Sequence, residues 1–236
     1  MRKFDKRSYQ PELLDKDDIP FADIRQNMKE LNTINTLLGG HAITLKGIKK
    51  ILRSSDKKQP LHICEIGCGG GDNLQAIYRW CSKKNIAVKF TGIDIKITCI
   101  EFAAEQYPEL PAEWIASDYA AIDFKNDKPD IIFNSLFCHH FPEAKILHIL
   151  HWMQMNSRLG FFINDLHRHW MAYYSIKWIT SFFSRSYLVK NDAPLSVARG
   201  FKRKEWQKIF DSTGIHPYAI QWKWAFRHLI TVKHER

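Results

Sequence analysis

The chain has 236 residues, 45% of them apolar, which suits one α/β domain with additions around a packed core. No apolar run reaches the roughly 18 residues of a membrane-spanning helix, and no apolar signal core follows the charged N-terminus, so we expect a cytoplasmic protein. The formal net charge of +10 would suit a polyanionic partner such as nucleic acid, but its even spread equally suits a soluble basic surface.

The N-terminal quarter of the chain predicts two helices after an irregular start. Residues 1–20 are polar and include Pro11 and Pro20. Apolar residues then recur at helical spacing over 23–38, and Gly39-Gly40 ends that helix. A second helix is predicted over 42–52, and the polar stretch at 54–60 is predicted to be a linker. We therefore expect an N-terminal helical cap over 1–58 and a second domain over 59–236.

From residue 61 onward, predicted strands and helices alternate. This alternation indicates a seven-stranded α/β fold, with a mostly parallel sheet covered by helices on both faces. The predicted strands cover 61–66, 88–94, 112–116, 129–135, 159–165, 215–222 and 225–233. The predicted helices cover 72–84, 97–106, 143–156, 170–183 and 202–213. Because only a short turn separates the last two strands, they should form an antiparallel hairpin.

Five cysteines, an odd number, fall on these predicted core elements. Free buried thiols fit this count better than disulfides. Cys64 and Cys68 lack the spacing of zinc ligands and have no matching second pair.

The most informative motif is the glycine turn that follows the first strand of the sheet. Gly67, Gly69 and Gly71 stand at alternate positions between that strand and a helix. Without a Cβ, such a turn lets a ligand contact the backbone, and the helix N-terminus offers free N–H groups. The turn therefore predicts a site for a nucleoside-like cofactor.

Two acidic residues indicate which cofactor the turn accepts. Asp72 stands where the dinucleotide pattern has its third glycine, and Glu65, just before the turn, would repel a pyrophosphate. S-adenosylmethionine carries a sulfonium and an ammonium and no phosphate, so the charge of the motif favours it over NAD or ATP. No phosphate-binding loop of the G-x-x-x-x-G-K-[ST] type occurs in the sequence.

Polar residues also end the next three strands of the predicted sheet. Asp94 ends the second strand, where a carboxylate can accept hydrogen bonds from both ribose hydroxyls. Asp118 follows the third strand and can accept a hydrogen bond from an adenine amine, while Asn134 lies at the end of the fourth. Since ligands bind at the carboxyl edge of open parallel sheets, these groups should border one crevice.

This ordered set resembles the class I S-adenosylmethionine-dependent methyltransferases over roughly residues 60–236. The resemblance implies a Rossmann-like sheet, S-adenosylmethionine as cofactor and S-adenosylhomocysteine as its product. It places the glycine turn against the methionine portion, Asp94 at the ribose and Asp118 with Tyr119 at the adenine. The predicted cofactor-binding residues are Glu65, Gly67, Cys68, Gly69, Gly71, Asp94, Ile95, Asp118, Tyr119 and Asn134.

Within that family, the chain is similar to a small-molecule branch related to quinone and phenol methyltransferases. The resemblance lies in the stretch 191–201 and in a leading helix that ends near a double glycine. It implies transfer of a methyl group to oxygen or carbon of an aromatic, phenolic or quinone-like acceptor. It also places Ser196 and Arg199 near the active site.

His139 and His140 follow the fourth strand and are the predicted catalytic residues. A hydroxyl acceptor needs its proton removed, and an imidazole titrates close to neutral pH. Each histidine could instead be structural, bonding the loop or capping the helix that begins near Pro142. Because neighbouring residues rarely point to one ion, no metal is expected.

The segment after the fifth strand is predicted to contact the substrate. Arg168 could fix an acidic or carbonyl group of the acceptor, or it could pair with Asp165. An aromatic-rich helical insertion over 170–200 could pack on the N-terminal helices, form the wall of an apolar pocket or lie on a membrane surface, helped by Lys177, Arg185 and Lys190. The predicted substrate-binding residues are Asp165, His167, Arg168, Tyr173 and Arg199.

Two other functions remain open at the level of sequence. A nucleic-acid methyltransferase acting on amino groups usually carries Asn-Pro-Pro-aromatic after the fourth strand, whereas this chain has Asn134-Ser-Leu-Phe. The ring-carbon class needs a cysteine after a proline, which Cys138 lacks. A protein that binds the cofactor without turnover is the third possibility. The sequence leaves the oligomeric state open.

Overall fold

The computed structural model describes residues 4–16, 18–52, 60–125 and 127–235. Its centre is a seven-stranded sheet in the order β3-β2-β1-β4-β5-β7-β6. Strands β1 to β5 are parallel, and β7 runs antiparallel to both β5 and β6. The strands are β1 Leu61–Ile66, β2 Val88–Asp94, β3 Ala112–Ala116, β4 Ile131–Ser135, β5 Gly160–Leu166, β6 Tyr218–Lys223 and β7 Arg227–Lys233. The predicted Rossmann-like fold with a final antiparallel hairpin is confirmed.

Eight α-helices lie in the described residues, and most bounds fall within three residues of those predicted. They are α1 Phe21–Leu37, α2 Gly40–Ile51, α3 Asp72–Ser82, α4 Ile97–Gln106, α5 Glu143–Asn156, α6 Trp170–Phe183, α7 Tyr187–Arg199 and α8 Arg203–Thr213. Short 3₁₀ turns cover Leu13–Asp15, Tyr119–Ala121 and Cys138–His140. The predicted linker at 54–60 lies outside the described residues except for its last residue, and so does the domain boundary at 58.

The helical insertion over 170–200 consists of α6 and α7, joined by a short turn. Helix α7 was not predicted as a separate helix, because Asn191, Asp192 and Pro194 favour turns. The structure accommodates them by tertiary contacts: Asp192 accepts hydrogen bonds from the backbone N–H groups of Leu13 and Leu14, at 2.8 and 2.9 Å. The N-terminal segment therefore fastens α7 in place.

Apolar side chains cover both faces of the sheet, as expected of a parallel sheet. On one face, Trp206 and Phe210 of α8 pack with α5 residues such as Ile149. On the other face, Ile48 of α2 packs with residues of α3 such as Leu74. Helix α2 approaches the sheet very closely at Gly47, where a Cβ atom would come within 2.5 Å of the Phe162 ring.

Helix α1 lies over the glycine turn at the carboxyl end of β1. Ile24 and Met28 pack on Cys99 and Phe102 of α4. A Cβ at Gly70 would be only 3.2 Å from the Met28 Cβ. The N-terminal helices therefore cover the edge of the sheet where the ligand-binding residues were predicted.

All five cysteines are buried and carry free thiols, as predicted. No described helix is both long enough and apolar enough to span a membrane.

Candidate active site

A cavity of about 720 Å³ opens at the carboxyl ends of the parallel strands. Its floor comes from the glycine turn and from the residues that follow β2 and β4. Its cover comes from the N-terminal segment, α1, α6 and α7, which contribute apolar residues such as Leu31, Ile34 and Ile176. The cavity therefore has a polar floor against the sheet and a largely apolar cover.

The glycine turn presents its backbone to this cavity. Gly67 and Gly69 have φ angles of +67° and +50°, in the left-handed region that favours glycine. A Cβ at Gly67 would lie 2.1 Å from the Phe137 ring, so only glycine fits there. At Gly69, the nearest atom to a Cβ would be Met28 Sδ, at 3.6 Å, and the turn lines the cavity.

Glu65 is a buried carboxylate with one oxygen unsatisfied. Asn73 Nδ2 donates a hydrogen bond to its Oε1, at 2.8 Å. Its Oε2 has no hydrogen-bond partner in the described parts of the chain. Burial, together with the charge of nearby Asp72, raises the pKa of Glu65 well above its usual range. A cationic amine in the cavity would supply the missing partner, which fits the ammonium of S-adenosylmethionine.

Asp94 is held by two backbone N–H groups at the end of β2. Gly69 N donates to Oδ2 at 2.9 Å, and Lys96 N donates to Oδ1 at 3.0 Å. Burial raises the pKa of Asp94, against the lowering effect of these hydrogen bonds. Ile95, which follows it, is 74% exposed and lines the cavity. The hydrogen bond from Gly69 to Asp94 thus fixes the glycine turn to the end of β2, next to the exposed apolar side chain of Ile95.

Asp118 lines the cavity beyond β3, where it caps a 3₁₀ turn. Ala120 N donates to its Oδ1 at 2.9 Å, and Lys145 Nζ lies 3.8 Å from Oδ2. Tyr119 beside it is buried and packs edge-on against Trp152, with 5.3 Å between the ring centroids. The structure thus places Asp118 and Tyr119 on the cavity wall where the adenine contact was predicted.

At the opposite side, His139 is held by the carboxylate at the end of β5. Its Nδ1 lies 2.7 Å from Asp165 Oδ1, and its backbone N–H donates to Asp165 Oδ2 at 3.0 Å. Burial would raise the pKa of Asp165, but the charge and hydrogen bond of His139 lower it. Both side chains are buried, and His139 lines the cavity.

Glu12 of the N-terminal segment completes this cluster. Its Oε1 lies 3.6 Å from His139 Nε2, and its Oε2 lies 3.8 Å from His140 Nε2. His140 Nδ1 lies 3.3 Å from Asp15 Oδ1, and despite burial this contact lowers the pKa of Asp15 to about 2. Each imidazole therefore has a carboxylate at Nδ1 and shares Glu12 at Nε2.

The comparisons with known proteins agree with this arrangement. Residues 63–158 match the family described as a methyltransferase domain. This segment is a methyltransferase domain. The comparison with curated proteins found no match.

Solved structures show the same fold around the domain. The plantazolicin methyltransferase BpumL in complex with SAH has a TM-score of 0.64 and 17% identity, covering 91% of this chain and 89% of that one. A SAM-dependent methyltransferase from Aquifex aeolicus has a TM-score of 0.61 and 17% identity, covering 89% and 97%. Magnesium protoporphyrin IX methyltransferase (ChlM) from Synechocystis PCC 6803 with bound SAM has a TM-score of 0.54 and 12% identity, covering 86% and 84%.

The segment 63–158 is thus a methyltransferase domain, and the chain around it has the fold of solved S-adenosylmethionine-dependent methyltransferases. The predicted family, enzyme class and cofactor are confirmed. The individual residue roles stay predictions, and the structure shows which of these residues the fold brings together.

Eight of the ten predicted cofactor-binding residues line the cavity of the methyltransferase. Gly71 does not, because it lies under Trp114. Asn134 does not, because it is fully buried, where it donates to Met153 Sδ and accepts from Cys138 Sγ. Ser135 and Leu136, which follow Asn134, line the cavity instead.

None of the five predicted substrate-binding residues lines the cavity, and Asp165 is bound to His139 behind its wall. Arg168 is buried and ion-paired with Glu205, not with Asp165. His167 accepts a hydrogen bond from Trp222 Nε1 at 3.2 Å, and Tyr173 packs on the Phe4 ring. Arg199 donates to the backbone oxygens of both catalytic-candidate histidines, at 3.1 and 2.7 Å, so it positions the turn that carries them.

Glu12, His139 and His140 have ligand atoms within 4.8 Å of one another, close enough for one metal ion. Arg199 Nε lies 3.9 Å from Glu12 Oε1, and its positive charge opposes a second cation there. Ser196 also donates to Glu12 Oε1 at 2.8 Å. This charge and this hydrogen bond disfavour a metal ion in the cluster, and the expected lack of a metal remains an untested prediction.

Two residues of the site were missed by sequence reasoning. Glu12 lies in a stretch without regular periodicity, so nothing local pointed to it. Arg227 begins β7 and lines the cavity, and a charged residue at the start of an otherwise apolar strand was a signal that could have identified it.

Proposed function

We propose that this methyltransferase transfers a methyl group from S-adenosylmethionine to a small aromatic acceptor, of phenolic or quinone-like type. The bound cofactor supplies an electrophilic methyl carbon, and the chain supplies alignment and exclusion of water. The observation that carries the proposal is the buried His139–Asp165 pair facing an apolar cavity beside the glycine turn. The apolar cover favours an acceptor with an aromatic ring, and the His139–Asp165 pair favours an acceptor with a hydroxyl group.

His139 is proposed as the base that removes the acceptor's proton. In this role its Nδ1 donates a hydrogen bond to Asp165, and Nε2 is the atom that takes up the acceptor's proton. Nε2 then points towards the cluster of Glu12 and His140 at the cavity wall. A hydroxyl placed there would give its proton to His139 and form a bond to the methyl carbon, while the bond from that carbon to the sulfonium sulfur would break and release S-adenosylhomocysteine. Asp165 holds the ring and stabilises the imidazolium that forms.

The test is a panel of phenols, catechols and hydroquinones incubated with the protein and S-adenosylmethionine, with methylated products detected by mass spectrometry. We expect product from at least one acceptor. His139→Ala should lower turnover by about 10²–10⁴-fold while leaving the affinity for S-adenosylhomocysteine near that of the wild type. His140→Ala, the matched neighbour, should lower turnover less.

Cofactor binding without product from any acceptor of the panel would contradict the acceptor class. Turnover of His139→Ala equal to that of the wild type would contradict its role as base. If only RNA were methylated, with an affinity that falls steeply with salt, the nucleic-acid function would replace the proposal.

We also propose that the outer face of α6 contacts a membrane surface. Trp178, Phe182 and Phe183 are 68%, 73% and 83% exposed, although the other side of the helix packs inward through Ala172 and Ile176. No acidic residue occurs between Asp165 and Asp192, while that stretch contains the exposed Lys177, Arg185 and Lys190. The carboxylate of Glu30, at the end of α6, is occupied by the backbone N–H groups of Arg185 and Ser186. An aromatic face bordered by these three basic side chains matches an anionic lipid surface.

The position of this face relative to the cavity supports the same proposal. Ser175, Ile176 and Ile179 of α6 line the cavity, and Ile179 is also part of the exposed face. Trp224, at the β6–β7 turn, is 69% exposed and lines the cavity as well. An apolar acceptor dissolved in the lipid would therefore meet the cavity at the surface that contacts the membrane.

A further inference from the structure

Arg227 is a buried arginine on the wall of the cavity. It is the first residue of β7, where it lies opposite Leu166 of β5 and Lys223 of β6. Only 3% of it is exposed, and its side chain lines the cavity. Its Nη1 has no hydrogen-bond partner within residues 4–16, 18–52, 60–125 and 127–235.

The neighbouring carboxylates do not form an ion pair with Arg227. Asp165 and Asp72 act on it through their charge. Asp165 is already bound to His139, and Asp72 is bound to His41 Nε2 at 2.6 Å and to Asn35 Nδ2 at 3.0 Å. Burial lowers the pKa of Arg227 to about 10, which reflects the cost of holding this cation in the protein. Such a charge is expected to have a partner that binds in the cavity.

Glu65 lines the same cavity and, like Arg227, has a buried atom, Oε2, without a hydrogen-bond partner in the described residues. Both groups lie close enough to Asp72 to be influenced by its charge. Asp72 also accepts a hydrogen bond from Asn35 Nδ2. Asn35 and Arg227 both border Gly40, because a Cβ atom there would lie 1.7 Å from Asn35 Oδ1 and 3.0 Å from Arg227 Nη1. The two unsatisfied groups, one acidic and one basic, thus line the same cavity, and both are influenced by the charge of Asp72 at the start of α3.

A ligand that satisfies both groups must carry an ammonium and a carboxylate. The methionine portion of S-adenosylmethionine is an α-amino acid and has both charges on one carbon. We propose that Arg227 binds the carboxylate of this portion while Glu65 accepts its ammonium. Arg227 would then fix the amino-acid end of the cofactor, and so the direction in which the sulfonium methyl points. This inference depends on the cofactor and not on the proposed acceptor.

The test compares two ligands that share the adenosine and thioether but differ in the amino acid. S-adenosylhomocysteine carries the α-amino acid, and 5′-methylthioadenosine lacks it. Calorimetric titration of Arg227→Met should show an affinity for S-adenosylhomocysteine at least about tenfold weaker, because a charge-assisted hydrogen bond is lost. Its affinity for 5′-methylthioadenosine should match that of the wild type.

The melting temperature of the ligand-free protein supplies a second readout. Replacing an unpaired buried cation with an apolar side chain of similar length should leave the ligand-free Arg227→Met protein at least as stable as the wild type. A purely structural arginine would instead lower the melting temperature on removal. If Arg227→Met fails to fold, that outcome contradicts the proposal, and Arg227→Lys then measures whether the guanidinium fork is needed for S-adenosylhomocysteine.

Arg203→Met is the matched control, because it removes a positive charge beside the same hairpin, where Arg203 Nη1 donates to Ile220 O. Both ligand affinities should be unchanged in this control. Unchanged binding of S-adenosylhomocysteine by Arg227→Met would overturn the proposal and leave a carboxylate of the acceptor as the partner. Equal weakening of both ligands would overturn it as well.

Discussion

At the scale of single residues, the site combines satisfied and unsatisfied polar groups. Asp94 and Asp165 are each held at both oxygens by hydrogen bonds within the protein, so their positions are set before a ligand arrives. Glu65 and Arg227 each keep a buried atom without a partner in the described structure. The held groups orient the site, and the unsatisfied groups indicate the charges of the ligand.

Asp94→Ala tests the predicted contact with the ribose. The variant loses the acceptor for the ribose hydroxyls and the anchor for Gly69 N–H, so its affinity for S-adenosylhomocysteine should fall at least about tenfold. Asp94→Asn keeps one acceptor oxygen and should lose less. Isothermal titration calorimetry measures both, and an unchanged affinity of the alanine variant would refute the assignment.

At the scale of elements, the predicted cofactor-binding residues lie at the ends of strands, and the helical additions form most of the cavity proposed for the acceptor. Helices α1 and α6 cover the cavity with apolar residues, and Ile34 and Leu38 of the N-terminal part pack against Ala172 and Ile176. Packing on the N-terminal helices and lining the pocket, which were alternatives for the insertion, are both fulfilled by the inner face of α6. Its outer face is left for the proposed membrane contact.

Vesicle binding tests the outer face of α6. The protein should sediment with vesicles of phosphatidylcholine and phosphatidylglycerol and much less with phosphatidylcholine alone, because the basic border contributes only on anionic lipid. The double variant Phe182→Ser, Phe183→Ser should lose this binding. Met155→Ser, which changes a similarly exposed residue on α5, should retain it. If the wild type does not sediment, or if α6 instead buries itself in a dimer detected by light scattering, the membrane contact is wrong.

At the scale of the whole molecule, the second half of the sheet contains histidines that are costly to protonate. Burial, followed by the charge of His167, lowers the pKa of His228 to about 4 from an ordinary 6.5, although Asp165 acts in the opposite direction. Burial also lowers the pKa of His167. The unfolded chain therefore binds more protons than the folded protein as the pH falls from about 6.5 to about 4, and stability is lost over that interval.

Through His228 and His167 the free energy of unfolding in urea should be lower at pH 5 than at pH 7.5, while the buried carboxylates with raised pKa values, such as Glu65 and Asp94, act in the opposite direction. For His228 alone the full loss at acidic pH is about 3 kcal/mol, because folding lowers its pKa from 6.5 to about 4. His228→Leu should reduce the difference between the two pH values, whereas His216→Leu, which changes an exposed histidine, should not. An unchanged difference in the His228 variant would contradict the assignment.

The sheet, the order of its elements and the cofactor were predictable because they depend on local patterns. Each pattern lies within a few residues of the structure that it specifies. These patterns are the apolar runs of the strands, the glycine turn, and the acidic residues Glu65 and Asp94 near the ends of β1 and β2. Helix α7 was not recognised because the turn-favouring Asn191, Asp192 and Pro194 are accommodated only by contacts with the N-terminal segment. These three residues do favour a turn locally, but the tertiary contacts stabilise a helix there instead.

The sequence by itself determined the fold and the class of cofactor, a phosphate-free, positively charged nucleoside, since the charges of the motif favour it over a pyrophosphate ligand. Only the tertiary structure decided what surrounds that ligand. It brings Glu12 to His139, sets Asp165 behind the ring, pairs Arg168 with Glu205 and buries Arg227 without a partner. These contacts join residues that are far apart in the chain. Burial and the number of hydrogen bonds decide whether a charged side chain is structural or is available to bind a ligand, and both are set only when the chain is folded.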